Sequence, residues 1–443
     1  MDSSPLTTAR GAALYIGALL GPGLLLLPGL AARTAGPASV VAWIALLGVS
    51  ALLACVFAAL GRGFPSAGGV MGYVSAGLGD WAGRAAGWSF LAGVISGAPI
   101  VCIIGAGYVT AVIGAFRGPG EAGAQAIIAG LLLLVVLALA AGGLRSSATA
   151  QLLLVALLIV VVTVAVSGSA RVARAANWAP FAPHGWAAVG HAAALLMLSF
   201  VGWEAVAPLT TRFRDPRRQL TRVIAIALAV TTAIYLGLSI TVIGVLGPDA
   251  GSSIPLAGLL EAAIGSAGPA VAAVAAVILT LGATNSYITG ASAMVGMLPP
   301  LRAARPGSVS GEGPQARPGT RRGLLVTIAA IGFPLIALYG AGLISVTPLV
   351  AIPTTLFLSV YLGCMVAAIR LLRGLGRVAA VPAAVAVAAL LLFCGWTLSG
   401  PALVALVTAI PWRRGRAAQG EVARREATRR AGAALAQPAG QGS

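Results

Sequence analysis

Residues Gly11–Leu30 read GAALYIGALLGPGLLLLPGL. The stretch is apolar throughout and has the roughly 20-residue length that crosses the hydrocarbon core of a bilayer. At its centre stands Gly21-Pro22-Gly23. Proline withholds a backbone donor and clashes with the carbonyl four residues back, and the flanking glycines add conformational freedom, so a helix through this triplet is expected to break. Non-helical backbone at membrane depth is tolerated only where it is buried in protein or lines a cavity. An interrupted apolar helix therefore points to a binding site between helices.

The rest of the chain fits a bilayer. It is 59% hydrophobic and 9% charged, with a mean hydropathy of +0.99, against about 25% charge for a soluble domain. The net charge of +18 comes from 28 basic residues, all arginine, and their placement speaks against nucleic-acid binding. With the N-terminus inside and spans alternating, all but four lie in segments assigned to the cytoplasm; Arg33, Arg117, Arg171 and Arg174 fall outside. That bias is the positive-inside pattern, and it puts both termini in the cytoplasm around an even number of spans. The first apolar segment lacks a basic leader and a small-residue cleavage site, so it is expected to be retained. The cysteines, Cys55, Cys102, Cys364 and Cys394, sit inside apolar spans without metal-ligand spacing and read as packing residues.

About 12 spans are expected, over 10–32, 37–60, 85–113, 125–143, 148–168, 186–210, 222–247, 263–298, 323–342, 346–369, 377–395 and 397–412. A cytoplasmic N-terminal tail (1–9) precedes a ten-helix core (10–369); helices 11 and 12 (377–412) and a disordered cytoplasmic tail (413–443) follow. The segment 300–322, rich in Pro, Gly, Ser and Arg, reads as a flexible loop. The core divides into repeats over 10–168 and 186–369. Five spans are an odd number, so the second copy starts on the opposite side. Its first helix is also interrupted, at Ser199-Phe200-Val201-Gly202. Paired breaks in corresponding positions are the sequence mark of an inverted repeat with the site between its halves.

Ten residues are acidic, and of these Glu204 alone lies deep in a span, just after the second break. An anionic carboxylate at that depth costs about 2.5–3.5 kcal/mol on insertion scales, so it gains by holding a proton. It reads either as a proton-coupling group or as a structural carboxylate bonded to amides freed by the break. The breaks themselves suit a zwitterion. Amides and the positive dipole end of the half-helix after Gly23 attract a carboxylate, while carbonyls before Gly21 and near Ser199 and Phe200 accept from an ammonium. Leu24, Phe200 and Trp203 favour an apolar side chain; the two aromatics serve equally well as a gate or as helix packing. Thr284, Asn285 and Tyr287 on span eight could face the cavity or bond between helices. His191 reads as an interfacial residue and His184 as loop. No nucleotide-binding loop, metal cluster or catalytic triad is present in the sequence, so neither ATP use nor an enzyme is expected.

Several of these stretches resemble the amino acid–polyamine–organocation (APC) superfamily. Gly21-Pro22-Gly23-Leu24 with Pro28 and Ala35-Gly36-Pro37 resembles its first helix, and Leu60-Gly61-Arg62-Gly63-Phe64-Pro65-Ser66-Ala67-Gly68-Gly69 with Tyr73 the loop after its second. Phe200-Val201-Gly202-Trp203-Glu204 resembles its broken sixth helix, and Phe213-Arg214-Asp215-Pro216-Arg217-Arg218 the loop that follows. The resemblance runs over roughly 10–370 and is nearest to the bacterial branch exporting methionine and branched-chain amino acids. It implies an all-α membrane protein with a LeuT-type five-plus-five core, helices 1 and 6 broken, two extra C-terminal helices, and alternating access around the breaks. Two departures stand out: Pro22 replaces the usual Ser or Thr of the carboxylate cradle, and Ala293 stands where many relatives carry arginine.

Sequence and resemblance together lead to an expected secondary transporter in the cytoplasmic membrane. Its substrate is a neutral apolar amino acid (methionine, leucine, isoleucine or valine), its coupling ion H+, and its partner the lipid bilayer, with no cofactor and no nucleic acid; a homo-oligomer is left open. An uptake permease for amino acids or amines is the rival in the same class, and a membrane amino-acid sensor the rival in another.

Overall fold

The computed structural model describes residues 7–21, 23–64, 69–113, 120–142, 148–203, 216–295 and 318–409. Among them there is no strand. In chain order the helices are α1 (Thr8–Leu19), α2 (Gly23–Ala35), α3 (Ser39–Gly63), α4 (Gly69–Leu78), α5 (Asp80–Ile113), α6 (Glu121–Ala141), α7 (Ala148–Ser169), α8 (Gly185–Leu196), α9 (Pro216–Leu246), α10 (Pro255–Ile264), α11 (Gly268–Val295), α12 (Pro318–Gly340), α13 (Val346–Leu371) and α14 (Leu375–Leu392). A further apolar helical segment runs over Gly395–Ala409.

Nine helical stretches among the described residues are long and apolar enough to cross a membrane. At 1.5 Å per residue, the 25 residues of α3 span about 37 Å, enough for a hydrocarbon core of about 30 Å. The periphery is apolar too: Leu131, Leu134, Leu153 and Val160 on α6 and α7 are each more than half exposed. Such a surface would drive aggregation in water and matches lipid instead. This is an all-α, multi-pass membrane protein.

The helix at the centre is α5, which packs against α4, α6, α11, α12 and α13. Its composition suits that place. Small residues let neighbouring backbones close in where lipid offers no hydrophobic drive for helix association; at Gly105, for instance, the side chain of Thr280 on α11 leaves no room for a Cβ. Around this centre α1 lies against α7 and α9, α2 against α8, and α3 against α8, α9 and α14.

The expected first span is two helices, α1 ending at Leu19 and α2 starting at Gly23. Across the break the Leu24 amide donates to the Gly21 carbonyl at 3.1 Å. The expected sixth span is interrupted as well. Beyond Leu196 the chain tightens into a 3-10 turn over Met197–Phe200, then opens to extended backbone at Val201 (ψ 120). Gly202 follows at φ 152, a conformation that side chains with a Cβ rarely adopt. The short helices α4 and α10 fall largely between the expected spans. Each follows the second helix of its expected half and packs on the third, α5 or α11 respectively. Helix α12 begins at Pro318, so the stretch expected as loop over 300–322 ends in helix. The break between the last two apolar segments falls near Gly395, at φ 57.

Candidate functional site

A broken helix exposes carbonyls at the end of one half and amides at the start of the next, and buried ones need partners. Here tyrosines supply them. The Tyr235 hydroxyl of α9 reaches a carbonyl from each break, Leu19 O at 2.8 Å and Ser199 O at 3.2 Å. On α13, the Tyr361 hydroxyl donates to Phe200 O at 3.2 Å and accepts from the Gly202 amide at 3.0 Å. Tyr287 of α11 donates to Val201 O at 3.4 Å. Further along α2, the Tyr108 hydroxyl of α5 donates to Leu25 O at 2.6 Å. A tyrosine carries one hydroxyl on a rigid apolar body, so it satisfies backbone deep in a bundle with little new polar surface.

The two breaks open onto one cavity of about 60 Å³, room for several water-sized groups. Leu19, Gly21 and Gly23 bring the first break to it; Leu198, Ser199 and Val201 bring the second; α5, α11 and α13 complete the wall. The lining is almost entirely hydrocarbon. Two hydroxyls are the exceptions that matter, Ser199 Oγ and Thr284 Oγ1. Both residues line the cavity and are at most 2% exposed; Thr284 Oγ1 has no hydrogen-bond partner among the described residues, and Ser199 Oγ lies beside the Tyr235 hydroxyl without a well-formed bond to any of them. A buried hydroxyl without a well-formed bond is costly, and these two stand where a ligand would satisfy them. Ser199 Oγ lies over the start of α2: a Cβ built at Gly23 would sit 3.2 Å from it. The helix dipole and that hydroxyl thus address the same point.

The expected site residues separate into three groups. Gly21, Gly23, Ser199, Val201, Thr284 and Tyr287 are brought together on the cavity wall. Leu24, Phe200, Gly202, Trp203 and Asn285 are buried close by without forming that wall. Phe200 and Trp203 sit in an aromatic cluster: Phe200 against Trp43 and Tyr235 with ring centroids 6.0 and 5.5 Å apart, Trp203 against Tyr15 at 5.6 Å. The Trp203 indole donates to Ser50 Oγ at 2.9 Å. Pro22 and Glu204 lie outside the described residues.

Elsewhere, His191 is exposed; its Nδ1 is 2.9 Å from Ala187 O and its ring packs edge-on to Phe393. No group of metal-ligating side chains occurs among the described residues, and the four cysteines are free. Sequence reading missed Tyr235 and Tyr361, and the α5 and α13 residues of the wall. For the tyrosines a signal existed: a single phenol in a long apolar span has to find a buried partner.

Comparison with known proteins decides the family. The pattern described as amino acid permease matches residues 6–297. The chain belongs to the amino acid permease family, within the APC superfamily. It is 33% identical over 408 residues to the uncharacterized amino acid permease YecA of Bacillus subtilis, covering 90% of this chain and 93% of that protein. The L-methionine/branched-chain amino acid exporter YjeH of Escherichia coli is 29% identical over 418 residues, covering 88% and 91%. The branched-chain amino acid permease BcaP of Bacillus subtilis is 26% identical over 279 residues, covering 56% and 57%. This permease is accordingly a transporter and not an enzyme, and the cavity between its broken helices is the candidate place for an amino acid.

Proposed function

We propose that this permease exports neutral apolar amino acids across the cytoplasmic membrane in exchange for protons. The observation that carries the reading is the convergence of both breaks on one apolar cavity whose buried hydroxyls, Ser199 and Thr284, make no well-formed hydrogen bond among the described residues. The substrate carboxylate binds at the start of α2, where amides, the helix dipole and the Ser199 hydroxyl meet. The ammonium binds carbonyls of the broken backbone, and the side chain lies on the hydrocarbon wall. No arginine is among the described residues that line the cavity, which disfavours a larger anion. The likeness to a methionine and branched-chain exporter supports both the apolar substrate and the outward direction.

In this mechanism the core is a five-plus-five inverted repeat of the LeuT type, with both termini in the cytoplasm. The matched positions of the two breaks, and of α4 and α10, support that symmetry. The halves rock about the site, opening it to one side at a time. Glu204, next to the second break, takes up a proton from outside while the site is empty and releases it inside when an amino acid is loaded, so proton entry drives amino-acid exit.

The test is reconstitution. Proteoliposomes loaded with leucine or methionine should release it faster when a pH gradient drives protons in the opposite direction, and neutralising the gradient should remove the difference. Gradient-driven accumulation together with protons would establish uptake instead.

A further inference from the structure

The side-chain hydroxyls of the cavity come from the second break and α11, backbone from both breaks also lines it, and the apolar side of the wall is built largely by α5 and α13. A ligand whose head group pairs with the Ser199 and Thr284 hydroxyls has to lay its side chain on that hydrocarbon. Two glycines of α5, Gly93 and Gly97, face Phe357 and Pro353 of α13 there. They are not equivalent. A Cβ at Gly93 would lie 2.9 Å from the Phe357 ring, so a side chain there would have to push that ring aside. A Cβ at Gly97 would meet only Pro353 Cβ, at 3.8 Å, an ordinary contact. Packing therefore does not require glycine at 97, and glycine inside a helix is destabilising relative to alanine. What Gly97 preserves is open volume in the cavity.

We propose that Gly97, opposite Pro353, sets the size of the side chain this permease carries, and that its bare Cα makes room for side chains as large as those of leucine and methionine. The inference rests on the amino-acid transport proposed above and refines its substrate class. A side chain at 97 grows into the space the substrate would fill, so large apolar substrates are lost first and alanine is retained. Each methyl-sized group excluded lowers apparent affinity about fourfold.

The experiment compares leucine, methionine and alanine transport by the purified parent, Gly97→Ala and Gly97→Val in proteoliposomes, with Gly48→Ala as control, since a Cβ at Gly48 meets nothing within 4 Å. The expected result is a fall in the leucine-to-alanine ratio of about fourfold for Gly97→Ala and more than tenfold for Gly97→Val, with alanine transport kept and Gly48→Ala unchanged. Thermal unfolding of Gly97→Ala should be no lower than the parent's. A ratio unchanged from the parent in Gly97→Ala overturns the proposal, as does an equal loss for all three amino acids accompanied by lower stability. Should Gly97→Val not fold, the Gly97→Ala ratio decides alone. A parent that carries none of the three amino acids overturns the transport reading itself and this refinement with it.

Discussion

Tyr235 has one hydroxyl hydrogen and two carbonyl oxygens within reach, Leu19 O at 2.8 Å and Ser199 O at 3.2 Å, one on each broken helix. A single hydrogen cannot serve both fully at once, so the two breaks share one donor. Tyr235→Phe removes the shared donor. It should lower unfolding stability by about 1–3 kcal/mol, the usual cost of leaving buried polar groups unmatched, as read by thermal or denaturant unfolding in detergent. Ser199 makes the opposite prediction. Its hydroxyl makes no well-formed bond among the described residues, so Ser199→Ala should leave ligand-free stability unchanged or slightly higher while reducing the stabilisation produced by added leucine or methionine. A matching loss of ligand-free stability would show a structural hydroxyl. Glu204→Gln should abolish the response of transport to a pH gradient while substrate-induced stabilisation persists; gradient-driven transport equal to the parent's would remove Glu204 from the coupling step.

At the scale of elements, the proposed binding mode puts the substrate carboxylate at the start of α2. A Cβ at Gly23 would stand 2.9 Å from Leu27 Cδ1 and 3.2 Å from Ser199 Oγ. Gly23→Leu should therefore fill the cavity and favour continuous helix, eliminating the thermal shift caused by substrate while the protein still folds; a retained shift would place the substrate elsewhere. Both breaks were legible in the sequence because their causes are local: a Gly-Pro-Gly triplet at one, a glycine beside Ser199 and Phe200 at the other. The long helices were legible for the same reason, as each is an uninterrupted apolar run. The helices α4 and α10 were not. At 10 residues each they are shorter than any bilayer crossing, and they are held by contact with α5 and α11 rather than by their own sequence. The cavity wall was half legible. Backbone breaks announce themselves, whereas Gly97 and Pro353 meet only because α5 and α13 pack together, and Phe200 and Trp203 turn into an aromatic cluster through neighbours remote in sequence.

At the scale of the whole molecule, an apolar periphery, a glycine-rich central helix and two helix breaks sharing one cavity fit the proposal of a bundle that rearranges around a small ligand. Tyrosines of α9, α11 and α13 tie the breaks to the surrounding helices through their hydroxyls. Such ties can be exchanged at small net cost, because each hydrogen bond contributes only about 0.5–1.5 kcal/mol on balance. Counterflow and efflux from proteoliposomes address this level most directly: vesicles containing the purified permease and labelled leucine, with an inward proton gradient imposed and then collapsed by an ionophore. Faster leucine efflux under the gradient, abolished by the ionophore and by Gly23→Leu, is the expected result. Efflux indifferent to the gradient, or unaffected by Gly23→Leu, would contradict proton-coupled export through the cavity between the broken helices.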